Sequence, residues 1–160
     1  SYVQILKSPL MMELKQIIEH SGISCSGIIV ELTESGYLEG TPAVRSVWND
    51  MKQLRIQIAL DDFGTGYSNL MNISNLEPDI VKLDRGFTLK ALSRSYEYQL
   101  MQYVIEMVHK LNQYVCVEGV ETKEDLEKIK ALGPDLIQGY YYSKPCSRDE
   151  FLKKFFDYSE

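Results

Sequence analysis

Residues 56–62 read IQIALDD, a short apolar run that ends in two adjacent carboxylates, Asp61 and Asp62. The run is short enough for a buried strand, and the same design recurs along the chain. GIIVEL (27–32) ends in the polar cluster Glu31, Thr33 and Glu34, and DIVKL (79–83) carries Lys82. YVCVEG (114–119) ends near Glu118, and DLIQG (135–139) holds Gln138. Amphipathic helical patterns lie between these runs. Ser8 and Pro9 read as N-cap and first position of a helix bearing Leu10, Leu14, Ile17 and Ile18, stopped by Gly22. Thr41 and Pro42 open a second, with Val44, Val47, Trp48, Met51 and Leu54 at a 3.6 period. One long helix carries Leu100, Met101, Val104, Ile105, Val108 and Leu111. Thr122 with Asp125 forms a capping-box pattern for a helix closed by Gly133, and Ser147 with Glu150 caps the last.

Strands alternating with helices predict βαβ units and a parallel sheet buried on both faces. Polar residues at the C-terminal ends of the strands mark the end where α/β folds bind ligands. Glu31, Asp61, Lys82, Glu118 and Gln138 follow one another at 30, 21, 36 and 20 residues. Eight units of that size need roughly 215 residues, the range of a (β/α)8 barrel. Five strands in 160 residues then make a partial barrel, and an open doubly wound sheet fits the spacing equally well.

Composition narrows the function. The net charge of -6, with no basic run, argues against a phosphate-neutralising surface for a nucleic acid polymer. No apolar stretch is long enough to span a membrane, and the start lacks the pattern of a signal peptide. Cys25, Cys116 and Cys146 form no CxxC pair, so a reduced, cytoplasmic domain without a disulfide framework is expected.

Among the polar residues, Asp61-Asp62 carries the most chemistry. Two like charges at the end of a buried strand repel unless donors or a cation hold them, and carboxylate oxygens suit Mg²⁺ or Mn²⁺. A turn or helix cap made by one of them is the plainer alternative. Gly64 and Gly66 flank Thr65 in the following loop, where they permit positive φ in a lid, a phosphate-side loop or an ordinary tight turn. Lys82 sits inside an apolar strand, so its ammonium should point into a polar mouth. Glu118 is a site candidate, whereas Glu121 reads as the lead into a capped helix. His20 and His109 lie near helix C-termini and belong to no zinc motif. No GxSxG is present, so a covalent serine nucleophile is unsupported.

Taken together, ELTES (31–35), DDFGTGYSNL (61–70), DIVKLDRGF (79–87), VEGVET (117–122) and QGYYYSKP (138–145) resemble, in order and spacing, the EAL-type cyclic-di-GMP phosphodiesterase domain. The resemblance covers essentially the whole chain and implies a TIM-like barrel, about five of its eight β/α units being present. It implies metal-dependent hydrolysis of cyclic di-GMP to linear pGpG on a two-metal Mg²⁺ or Mn²⁺ site. By the matched motifs, Glu31 and Asp61 would be metal ligands, with Asp62 serving a second metal or its waters. Lys82 would sit beside the attacking water, and Glu118 would be the general base or a ligand of the second ion. Asp84, Glu121 and Gln138 would support the site or the substrate. Glu34 would anchor the loop containing Gly64 and Gly66, coupling metal binding to dimer formation.

The Glu-Ala-Leu motif, the arginine after it and the asparagine of the Asn-x-Ser motif do not occur in these 160 residues. Residues 1–160 are therefore expected to be the C-terminal portion of one EAL domain, inactive alone, within a longer signalling protein. A homodimer, or association through exposed barrel edges, is the expected assembly. A receptor that binds cyclic di-GMP without cleaving it is the rival function, and an unrelated Mg²⁺-dependent barrel enzyme is a third.

Overall fold

The computed structural model describes residues 10–33, 42–65, 73 and 77–156. Helix α1 (Leu10–Ser21) leads into strand β1 (Ile29–Thr33), α2 (Pro42–Gln53) and β2 (Gln57–Phe63). Strand β3 (Ile80–Leu83) is followed by α3 (Arg85–Ser93) and α4 (Ser95–Lys110), then β4 (Tyr114–Glu118). Helix α5 (Lys123–Lys130), β5 (Leu136–Gln138) and α6 (Arg148–Phe155) complete the chain. The expected caps at Ser8, Pro9 and Thr41 lie outside the described residues.

The five strands form one sheet in the order β1-β2-β3-β4-β5, and every neighbouring pair is parallel. That order decides between the two architectures left open by the spacing. A doubly wound sheet reverses its strand order at a switch point, whereas here each connection steps in the same direction, as around a barrel. The fold is α/β, a partial TIM-like barrel.

The helices cover one face of the sheet. Leu32, Ile58, Leu60, Val81, Leu83, Val115 and Val117 pack there against Trp48, Met51, Phe87, Met101, Ile105 and Ile129. The opposite, inner face alternates with it: Ala59, Ile80 and Cys116 form a small apolar floor below the charged residues. Burial on both faces holds for β3, where all four residues are buried, but fails at the edges of the sheet. Ile29 on β1 and Leu136 on β5 are 47% and 46% exposed, because among the described residues no strand lies beyond either.

The expected long helix is α4, separated from α3 by Arg94, which takes an extended conformation (φ -140°). Two further expectations change. Leu100 and Leu111 are exposed while Met101, Ile105 and Val108 are buried, so the core-facing stripe is narrower than the sequence pattern. Ile17 on α1 is exposed as well, leaving Ile18 buried. The capping boxes Thr122–Asp125 and Ser147–Glu150 both form.

A repeat that the sequence analysis missed fixes the register. Pro78-Asp79 precedes β3 and Pro134-Asp135 precedes β5. In each case the aspartate binds the preceding strand twice. Asp79 accepts from the Ile58 N–H at 2.8 Å, and its own N–H donates to the Ile58 carbonyl at 2.9 Å. Asp135 accepts from Val115 N–H at 2.8 Å and donates to the Val115 carbonyl at 3.1 Å. A one-residue slip would turn Lys82 and Gln138 to the helix face, so these clamps protect the site's geometry. Asp79→Ala and Asp135→Ala should each destabilise the fold by about 1–3 kcal/mol, since each strands a backbone donor, as read by urea denaturation. His109, which the sequence assigned only to a helix end, pairs with Asp135 at 2.8 Å.

Candidate active site at the C-terminal ends of the strands

Lys82 organises the inner face. Its ammonium lies 2.7 Å from Glu31 Oε1, 2.8 Å from Glu118 Oε1 and 3.2 Å from Asp61 Oδ1, and its side chain is 7% exposed. Register explains the meeting: Lys82 pairs with Cys116 on β4, one pleat below Glu118, while Asp61 pairs with Thr33 on β1, one pleat above Glu31. Burial alone would lower the lysine's pKa, but its contacts with Glu118, Glu31 and Asp61 more than reverse that, and the ammonium is held. An edge-strand lysine facing solvent, the plainer alternative, does not describe this residue.

Asp61 and Asp62 are not beyond the strand but within it. Between β2 and β3 the pairing shifts, from Leu60 opposite Val81 to Phe63 opposite Leu83, so β2 spends an extra residue there. Asp62 absorbs it at φ +62°, a left-handed conformation that favours glycine and short polar side chains. The bulge is why two consecutive carboxylates sense the same charges. Burial first, then the Asp61 and Asp84 carboxylates, push the Asp62 carboxyl above its usual range, with Lys82 offsetting part. Asp62→Gly should therefore raise Tm by a few degrees, about 1 kcal/mol, while lowering any activity of the site. A Tm below wild type in a thermal melt would show that the residue carries no strain.

The remaining expected residues divide. Gln138 pairs in register with Glu118 and lines a cavity of about 420 Å³ with Arg85, Glu118, Gly119, Glu121 and Tyr140. Glu121 precedes the α5 cap, as expected, but also binds Arg85, with Oε1 accepting at 2.7 and 3.2 Å. Asp84 is the N-cap of α3 and accepts from the Gly86 N–H at 2.6 Å. It acts on the site through its charge on Asp62. Gly64 has φ +103°, and a Cβ there would press on the Phe87 ring, which accounts for glycine. Glu34 and Gly66 lie outside the described residues. Arg85 gave no signal in the sequence because its role depends on Glu121, which lies 36 residues later. Cys116, beside Lys82 on β4, is a buried thiol pushed up to about 11 by desolvation, hence protonated and no nucleophile.

Among the described residues, no three carboxylate, imidazole or thiolate groups are arranged to hold a metal ion by themselves. The ammonium fills the point where Glu31, Asp61 and Glu118 meet. The donor set nevertheless suits a hard divalent cation. Four carboxylates (Glu31, Asp61, Asp62 and Glu118) share one ammonium, and Asp61 Oδ1 is a buried oxygen that receives no directed hydrogen bond. No helix among the described residues is long and apolar enough to cross a membrane.

Residues 2–145 match the model of the EAL domain family. The chain belongs to the EAL domain family. A cyclic di-GMP phosphodiesterase of Pseudomonas aeruginosa, NbdA, is 29% identical over 152 residues, covering 93% of this EAL chain and 19% of NbdA. Among solved structures, the EAL enzyme Bd1971 in its cAMP- and cyclic-di-GMP-bound form superposes with a TM-score of 0.90 at 28% identity. That likeness covers 97% of this chain and 41% of Bd1971. The manganese and cyclic-di-GMP complex of Klebsiella pneumoniae BlrP1 gives a TM-score of 0.82 at 26% identity, covering 89% of this chain and 36% of that one. The EAL chain thus spans about a fifth of the length of NbdA.

Proposed function

We propose that this chain carries the lysine–carboxylate part of a divalent-metal-dependent phosphodiesterase that hydrolyses cyclic di-GMP to linear pGpG. The observation that carries the reading is Lys82 buried among Glu31, Asp61 and Glu118, on the inner face where the strands end. The names of the matched relatives supply the substrate class.

In this reading Glu31, Asp61 and Asp62 hold Mg²⁺ or Mn²⁺. Held there, the cation would supply charge neutralisation for the phosphate and would acidify a water. Glu118 accepts the proton that the attacking water gives up as it bonds to phosphorus. Lys82 donates to the phosphoryl oxygens on which negative charge grows, and as the bond from phosphorus to the 3′ oxygen breaks, that oxygen takes up the proton held by Glu118. Gln138, with the Arg85–Glu121 pair, borders the cavity beside Glu118, whose size is that of small-molecule sites. The domain works in the cytoplasm as one unit of a longer signalling protein, and the open edges β1 and β5 are where further barrel units or a second copy pack.

The test is nucleotide chromatography after incubating cyclic di-GMP with a polypeptide containing the complete EAL domain, with Mg²⁺ or Mn²⁺ and with EDTA. Metal-dependent pGpG formation is expected. Tight binding without pGpG would assign a receptor instead, and failure to bind any guanine dinucleotide would remove the reading.

A further inference from the structure

We propose that Lys82 is the resident counter-ion of the acidic site and competes with the divalent cation for Glu31 and Asp61, thereby setting how tightly metal is held. This rests on the metal-dependent reading above and concerns the regulation of that same site.

An ammonium has three N–H donors. Contacts of 2.7 and 2.8 Å to Glu31 and Glu118 use two of them, and Asp61 Oδ1 lies 3.2 Å away without a directed hydrogen bond. A lysine serving only the substrate would stand clear of the carboxylates, whereas this ammonium lies within 3.2 Å of three of them. It has nowhere to withdraw either, because the floor below it is Ala59, Ile80 and Cys116. Lys82 therefore sits where Glu31, Asp61 and Glu118 converge.

A divalent cation on Glu31 and Asp61 would lie about 4 Å from that ammonium. Even with the screening of bulk water, repulsion at that distance costs more than about tenfold in affinity. Metal binding then requires the ammonium to give up Glu31 and Asp61 while Glu118 retains it. The donors so released are the ones that can reach a phosphate. Loading of the metal and arming of the lysine become one event, and a metal-free site is kept from engaging substrate through Lys82.

The experiment is calorimetric titration of Mn²⁺ into the metal-free chain and into the complete domain, comparing wild type with Lys82→Met. The variant keeps the apolar stem and removes the charge. It should bind Mn²⁺ at least about tenfold more tightly, although its metal-free form melts lower and it turns over no substrate. Equal or weaker Mn²⁺ binding by folded Lys82→Met would overturn the proposal. If the variant does not fold, the wild type still decides. The ¹⁵N-lysine ammonium resonance of Lys82, buried and held by Glu31 and Glu118, should shift or vanish on Mg²⁺ addition with the midpoint of the binding isotherm. A resonance unmoved at saturation would overturn the proposal. No Mn²⁺ binding by any form, wild type included, would instead overturn the metal reading on which the inference rests.

Discussion

Asp61→Asn, in a polypeptide containing the complete EAL domain, should lower kcat for cyclic di-GMP hydrolysis by about a thousandfold. The substitution is nearly isosteric, so packing is spared. It removes one of the charges that Lys82 and the proposed cation share, at an oxygen that is buried and lacks a directed hydrogen bond. An amide oxygen is a far weaker ligand for a hard cation, and the amide group adds donors facing an ammonium. The thermal midpoint should stay near wild type, which separates lost chemistry from lost fold. A kcat within about tenfold of wild type would show that Asp61 does not serve the reaction.

The second large effect concerns the 160-residue chain by itself, which should self-associate and show no metal-dependent turnover above background. Both edges of the sheet, β1 and β5, end without a neighbour among the described residues. Open strand edges template further pairing. The inner face adds apolar area, with Tyr114 54% exposed beside Ile29 and Leu136. Association through such edges buries the mouth of the site or leaves Glu31, half exposed on the edge strand β1, without a wall on its outer side. Light scattering and a pGpG assay on the purified chain check both halves. A monomer with ordinary metal-dependent turnover would contradict the partial-barrel account.

Much of this was legible in the sequence, for identifiable reasons. Parallel strands buried by helices leave apolar runs in which a polar residue near the C-terminal end is conspicuous, so Glu31, Asp61, Lys82, Glu118 and Gln138 stood out. What the sequence concealed was geometry that depends on φ or on distant partners. The bulge at Asp62 leaves no mark, because an aspartate that ends a strand and one that kinks it are spelled alike. The Arg85–Glu121 pair joins residues from different β/α units. The Pro-Asp clamps at Asp79 and Asp135 gave no distinct signal, because each grips the strand before it rather than its own neighbours. The convergence of three carboxylates on Lys82 was also hidden: each lay in its own motif, and only sheet register brings them together.

The central claim is that Glu31, Asp61 and Asp62 hold the metal beside Lys82 and Glu118. Anomalous diffraction from crystals of the complete domain grown with Mn²⁺ and cyclic di-GMP tests it most directly. The account predicts an anomalous peak about 2.1 Å from carboxylate oxygens of Glu31 and Asp61, with the Lys82 ammonium turned toward a phosphate. A peak elsewhere, or Lys82 still bound to all three carboxylates beside a loaded metal, would contradict it.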